Sequence, residues 1–93
     1  MRARSDGKRS RIYIIGDLLD TLEREGRLPQ TRMLRLSNLS YRHFKFYLGE
    51  LVGNTFLELV REDGRQYYRL TEQGRVYAQK IRELREFEKR FGF

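Results

Sequence analysis

The sequence predicts an α+β domain in which three helices precede a two-stranded hairpin and a fourth helix follows it. Two observations carry this. Apolar residues recur at three- and four-residue spacing from Ile12 to Leu51 and again beyond Val76, the period of helices with one buried face. Between Phe56 and Leu70 they instead form two short runs, rich in Leu, Val and Tyr, around Asp63-Gly64, which is the signature of a tight hairpin. A chain of 93 residues has room for one such domain with a modest core.

The elements follow in order. Residues 1–10, MRARSDGKRS, are small, polar and basic, and read as a flexible arm ahead of a domain over residues 11–93. A first helix is expected from about Ser10 to Glu25, with Ile12, Ile15, Leu18, Leu19 and Leu22 on one face and Gly26 at its C-terminal cap. Leu28-Pro29 ends that unit. Thr31 is placed to cap a short second helix over Arg32–Ser37, which offers Met33, Leu34 and Leu36 for burial. Asn38-Leu39 makes a tight turn, Ser40 caps a third helix, and Gly53-Asn54 stops it. Strands are expected over Phe56–Arg61 and Gln66–Leu70, and so short a hairpin must pack on the helices to be stable. Thr71 caps the last helix, running to about Arg90, with Val76, Tyr77, Ile81, Leu84, Phe87 and Phe91 as its apolar positions. This order is that of a winged helix-turn-helix, whose third helix enters the major groove of DNA.

Charge supports the same reading. The formal net charge is +7, which favours a polyanionic partner. The charge is also segregated. Asp17, Asp20, Glu23 and Glu25 make the end of the first helix acidic, whereas no acid occurs from Gly26 to Gly49, a stretch holding Arg27, Arg32, Arg35, Arg42 and Lys45. Wound as a helix, "SNLSYRHFKFYLGEL" turns Phe44, Tyr47, Leu48 and Leu51 to one side and Arg42, Lys45, Phe46 and Gly49 to the other.

Candidate contacts follow from that outer side. Arg42 and Lys45 suit guanine edges or phosphates, and Phe46 suits a thymine methyl or the pocket of a protein partner. Ser40 and Tyr41, at the helix start, suit phosphate, although Ser40 serves equally as a plain cap. Thr31 and Arg32 begin the helix that crosses the backbone. Arg61, Arg65 and Gln66 sit at the wing tip, and Arg2, Arg4, Lys8 and Arg9 in the arm can follow the minor groove or add non-specific attraction. Phe87, Phe91 and Phe93 lie on a helix too long to be covered by so small a body, so burial in a homodimer is expected.

Two stretches, "TRMLRLSNLSY" (31–41) and "EDGRQYYRLTEQG" (62–74), carry a family resemblance. The chain resembles the archaeal winged-helix DNA-binding proteins, both the ten-kilodalton chromatin-associated family and related small transcriptional regulators, over about Ile12 to Ile81. The resemblance implies dimeric binding of double-stranded DNA, with pairing through the last helix (about 71–91) along Tyr77, Ile81, Leu84, Phe87 and Phe91. The chain differs from that pattern in Glu88, which interrupts the seam, and in a few extra residues around Gly53-Asn54-Thr55.

Other classes fare poorly. There is no cysteine, one histidine (His43) and no glycine-rich phosphate loop, so neither a metal site nor a cofactor is expected, and the carboxylates sit at ion-pairing spacings rather than converging in a cleft. The longest apolar run, Ile12–Ile15, is far below the roughly 20 residues that span a bilayer, so a cytoplasmic, nucleoid-associated location is expected. Sixteen arginines against four lysines, with high charge, hint at a thermophilic source. The expected function is sequence- or structure-selective duplex binding by a homodimeric transcriptional regulator, the third helix in the major groove and the wing on the adjacent backbone or minor groove. A non-specific architectural chromatin protein is the alternative, and a protein-interaction or RNA-binding winged helix the next.

Overall fold

The computed structural model describes residues 10–92. Its elements are α1 (Arg11–Glu25), α2 (Gln30–Ser37), α3 (Tyr41–Gly53), β1 (Leu57–Glu62), β2 (Arg65–Leu70) and α4 (Glu72–Phe91). The α+β winged helix-turn-helix read from the sequence is the fold observed. The expected arm residues Arg2, Arg4, Lys8 and Arg9 lie outside the described residues, as does Phe93.

Three of the four helices start on side-chain caps, Ser40 and Thr71 as expected from the sequence and Ser10 at the position where the first helix is expected to begin. The hydroxyls of Ser10, Ser40 and Thr71 accept from the backbone N–H of Tyr13, His43 and Gly74, each satisfying a donor that the first turn leaves orphaned. Helix α2 departs from expectation. It begins two residues earlier, at Gln30, with Pro29 as its N-cap in extended conformation and no side-chain cap. The Pro29 carbonyl accepts from the N–H groups of Arg32 and Met33, both at 3.1 Å. Proline's locked φ already suits this position, so Thr31 is not needed as a cap and sits exposed inside the helix. Only Met33 of α2 is fully buried, and Leu36 remains 42% exposed instead of joining the core. Asn38 ends α2 in the left-handed region, φ 61°, a conformation that asparagine tolerates better than most residues.

The hairpin is antiparallel, with Leu57 opposite Leu70 and Glu62 opposite Arg65. Asp63 and Gly64 both have positive φ, 53° and 76°, as a two-residue type I′ turn requires. Strand β1 starts one residue later than expected because Phe56 belongs to a joint. Its N–H donates to the Leu51 carbonyl and its own carbonyl accepts from Thr71 N–H. Thr55 beside it holds φ 60°, an uncommon value for a β-branched residue. The Thr55 hydroxyl donates to Gln73 Oε1 (2.6 Å), and its carbonyl accepts from the Thr71 hydroxyl (2.6 Å). Here Gly74 is obligatory, since a Cβ on it would lie 2.1 Å from the Phe56 carbonyl oxygen.

One pairing was not legible in the sequence. Leu28 and Tyr68 exchange both backbone bonds, at 3.0 and 2.8 Å, so β2 is bonded along both edges and the loop after α1 acts as a one-residue third strand.

The core draws on every element, with Phe44 and Leu19 wholly inaccessible and Leu22, Leu51, Met33, Leu57 and Ile81 nearly so. Helix α4 closes on α1 through a polar seam. Arg82 bonds Asp20 (2.8 Å) and Glu23 (2.9 Å), Arg85 pairs with Asp17 (3.2 Å), and the Tyr13 hydroxyl donates to Glu88 (2.9 Å). The Arg82 guanidinium is held still further into its charged form, chiefly by the Glu23 hydrogen bond.

Candidate nucleic-acid interface

Helix α3 is oriented by its burial. Phe44, Tyr47, Leu48 and Leu51 are inside, which leaves Tyr41, Arg42, Lys45, Phe46 and Gly49 on the exposed side, as the sequence predicts. Phe46 is 53% exposed and Tyr41 59%. Phe46 packs edge-on against Tyr47, with 5.2 Å between ring centroids, and leaves the rest of its ring open to solvent. Ser40 uses its hydroxyl as the cap of α3 and is itself exposed. The turn between α2 and α3 needs only residues 38–40, so the helix pair forms a compact helix-turn-helix.

The cations of this region are available. Among the described residues, Arg32, Arg35, Arg42, Lys45, Arg61 and Arg65 form no salt bridge, whereas Arg82 and Arg85 of α4 are committed to the α1 carboxylates. The acidic stretch of α1 is thus met chiefly by α4, and Arg32, Arg35, Arg42, Lys45, Arg61 and Arg65 keep their charge for solvent or a partner, whereas Arg69 of the wing bonds Glu58 at 2.6 Å.

The wing separates residues that the sequence grouped together. Cross-strand partners alternate between faces. Arg61 and Gln66 are opposite one another on the face continued by Leu59, Tyr68, Leu57 and Leu70. Arg65 is opposite Glu62 on the other face, beside Val60 and Tyr67. All three expected wing residues are exposed, as are Thr31 and Arg32 at the start of α2.

Two residues gain significance only in three dimensions. Arg27, just past α1, pairs with Glu62 and stacks over the Tyr67 ring at 4.4 Å, bracing the wing from the Arg65 side. Arg11, the first residue of α1, lies over the Phe46 ring at 5.8 Å and reaches Glu50 at 3.4 Å. The acid partners are 35 and 39 residues from their arginines, and no local spacing rule links them.

The apolar residues of α4 divide. Ile81 is 2% exposed and belongs to the core of the single chain, where Gly16 of α1 lets α4 approach. It therefore has almost no surface to offer a second copy, contrary to the seam expected from the resemblance. Tyr77 is half-buried and stacks on Phe56 at 4.2 Å. Leu84, Phe87 and Phe91 are 43, 51 and 60% exposed, joined by Val76 at 54%, and the rings of Phe87 and Phe91 lie 4.7 Å apart.

Among the described residues no helix is long and apolar enough to cross a membrane. Among the described residues no group of three or more His, Asp or Glu is placed to hold a metal ion.

Comparison with known proteins agrees with this architecture. The chain is 32% identical over 77 residues to two proteins of Methanocaldococcus jannaschii, MJ0290 and MJ0287, each described as uncharacterized. The match takes in 83% of this chain but spans about a third (34%) of MJ0290, and 74% of MJ0287. Among solved structures, Sso10a-2, a DNA-binding protein from Sulfolobus solfataricus, superposes with a TM-score of 0.78 and 25% identity, covering 89% of this chain and 85% of that one. The family model described as winged helix-turn-helix matches residues 8–89. With the helix pair, the two-stranded wing and the exposed face of α3 in the arrangement described, the chain belongs to the winged helix-turn-helix family.

Proposed function

We propose that the chain binds double-stranded DNA as a homodimeric transcriptional regulator, with α3 in the major groove and the wing on the adjacent backbone or minor groove. The observation that carries this reading is the set of uncommitted cations on α2, α3 and the wing, next to an α1–α4 seam in which opposite charges are matched. Arg42 and Lys45 reach base edges or phosphates, Phe46 reaches a thymine methyl, and Tyr41 together with the backbone at Ser40 takes a phosphate. Thr31 and Arg32 meet the backbone from α2, and Arg61, Arg65 and Gln66 from the two faces of the wing. The likeness to Sso10a-2, a DNA-binding protein, supports the same reading.

The test is duplex binding followed by fluorescence anisotropy across a salt series. A steep negative dependence on salt is expected, and Arg42→Ala with Lys45→Ala should cost about 1–3 kcal/mol for each side chain. Wild-type affinity in that double variant would defeat the placement of α3. Competition between a selected duplex and random DNA separates regulation from an architectural role, for which the specificity ratio approaches one.

The exposed stripe of Val76, Leu84, Phe87 and Phe91 supports pairing through α4. Leu84→Glu with Phe91→Glu should convert a dimer to a monomer in sedimentation equilibrium. A dimer that persists would move the subunit interface elsewhere.

A further inference from the structure

The surface of α3 that the proposed function uses has one acid at its edge. Glu50 is the sole carboxylate between Gly26 and Leu57, and it lies on a helix whose other exposed charges, Arg42 and Lys45, are cationic. An acid here opposes a polyanion, so a compensating role is needed. The structure supplies one: Glu50 Oε1 lies 3.4 Å from a guanidinium nitrogen of Arg11, and the same guanidinium sits 5.8 Å from the centroid of Phe46. Arg11 belongs to α1, yet these two contacts draw it onto the edge of α3.

We infer that Arg11 is a further phosphate-contacting residue of the DNA surface, and that Glu50 acts as a stand-in for the phosphate, holding Arg11 beside α3 until a duplex displaces the carboxylate. The inference rests on the reading that α3 faces DNA. The chemistry fits an exchange of partners. The Arg11 and Glu50 side chains are 63 and 45% exposed, the contact is single and long, and exposed pairs of this kind contribute little to stability. A guanidinium binds a phosphate oxygen by a shorter, charge-assisted bond, often with two donors at once. Contact with the Phe46 ring limits the directions Arg11 can sample, so the cation is already near the groove edge when the duplex arrives.

The exchange makes a specific signature. Fluorescence anisotropy with one labelled duplex over a potassium chloride series is run on the wild type, Arg11→Gln, Glu50→Gln and the double variant, with circular dichroism confirming that each is folded. Arg11→Gln should reduce the steepness of log K against log salt by about 0.9, the contribution of one phosphate contact. Glu50→Gln should tighten binding several-fold, and most of that gain should vanish in the Arg11→Gln background. An unchanged salt slope in Arg11→Gln overturns the inference. So does a Glu50→Gln gain that survives intact without Arg11, since it would reflect general repulsion alone. Arg42→Ala with Lys45→Ala is measured alongside. If that variant binds like the wild type, the DNA-facing role of α3 falls and this inference with it. If it weakens binding while Arg11→Gln leaves the slope untouched, only the role of Arg11 falls.

Discussion

Gly49→Ala should make the protein more stable and a poorer DNA binder. Gly49 lies in the interior of α3, exposed, and an added Cβ would meet nothing within 4 Å. It also lacks the positive φ that would make an L side chain strained. The folded state therefore accepts a methyl without cost, and the gain is that of glycine to alanine inside a helix, about 0.8–1.0 kcal/mol. For a domain of this size that corresponds to a rise in Tm of about 4–8 °C. Bound to a duplex, the same methyl projects from the exposed side, one turn beyond Lys45 and two beyond Arg42. Overfilling a close-packed contact costs about 1–3 kcal/mol, so affinity should fall by roughly 5- to 150-fold. Thermal unfolding by circular dichroism and anisotropy on one duplex give the two signs separately. A lowered Tm would refute the reasoning on helix propensity and open space. A raised Tm with unchanged affinity would refute close approach of this turn of α3 to DNA.

Three other substitutions probe the frame that presents this surface. Gly74→Ala places a Cβ 2.1 Å from the Phe56 carbonyl, the acceptor for Thr71 N–H; backbone must move, and urea unfolding should show a net loss of at least about 2 kcal/mol. Arg27→Ala removes an exposed ion pair and a ring contact, together worth about 1 kcal/mol, and should speed amide exchange across the wing more than in α1; equal exchange in both would refute the bracing role. The Tyr13 hydroxyl donates to the Glu88 carboxylate, which raises its pKa above the usual 10. The unfolded chain thus releases this proton first, so the contribution is complete below about pH 10 and is lost as pH rises through the folded value. Tyr13→Phe should flatten the fall in Tm above pH 10, and an unchanged alkaline profile would count against the contact.

Much of this architecture was written in local chemistry. Ser10, Ser40 and Thr71 cap helices with their own hydroxyls, and Asp63-Gly64 tolerates the φ values of a type I′ turn, so each could be read within a few residues. The outer side of α3 followed from its helical period, because its inner residues are few and strongly apolar. What escaped depends on contacts between distant segments. The Leu28–Tyr68 pairing occupies a single residue and has no period. Arg11 and Arg27 read as ordinary members of a basic chain, and only folding brings them onto Phe46 and Tyr67. On α4, Ile81 and Leu84 look alike in sequence. Which of them enters the core is decided by Gly16, whose missing side chain leaves room for Ile81 and Arg85 against α1.

The two ends of α1 do related work. Arg11 at its start and Arg27 just beyond its end each join an acid and an aromatic ring, the first on α3 and the second on the wing. Between them, Asp17, Asp20 and Glu23 face the arginines of α4. The acids of α1 are thus spent on the arginines of α4, while the cations flanking the helix attach to the two elements proposed to meet DNA. A net charge of +7 spread evenly would attract any polyanion weakly from all sides. This division instead neutralises one side and leaves Arg32, Arg42, Lys45, Arg61 and Arg65 unmatched among the described residues. On the reading that α3 and the wing face DNA, orientation on a duplex would follow from which acids are paired, and α1 is the element that sets that pairing.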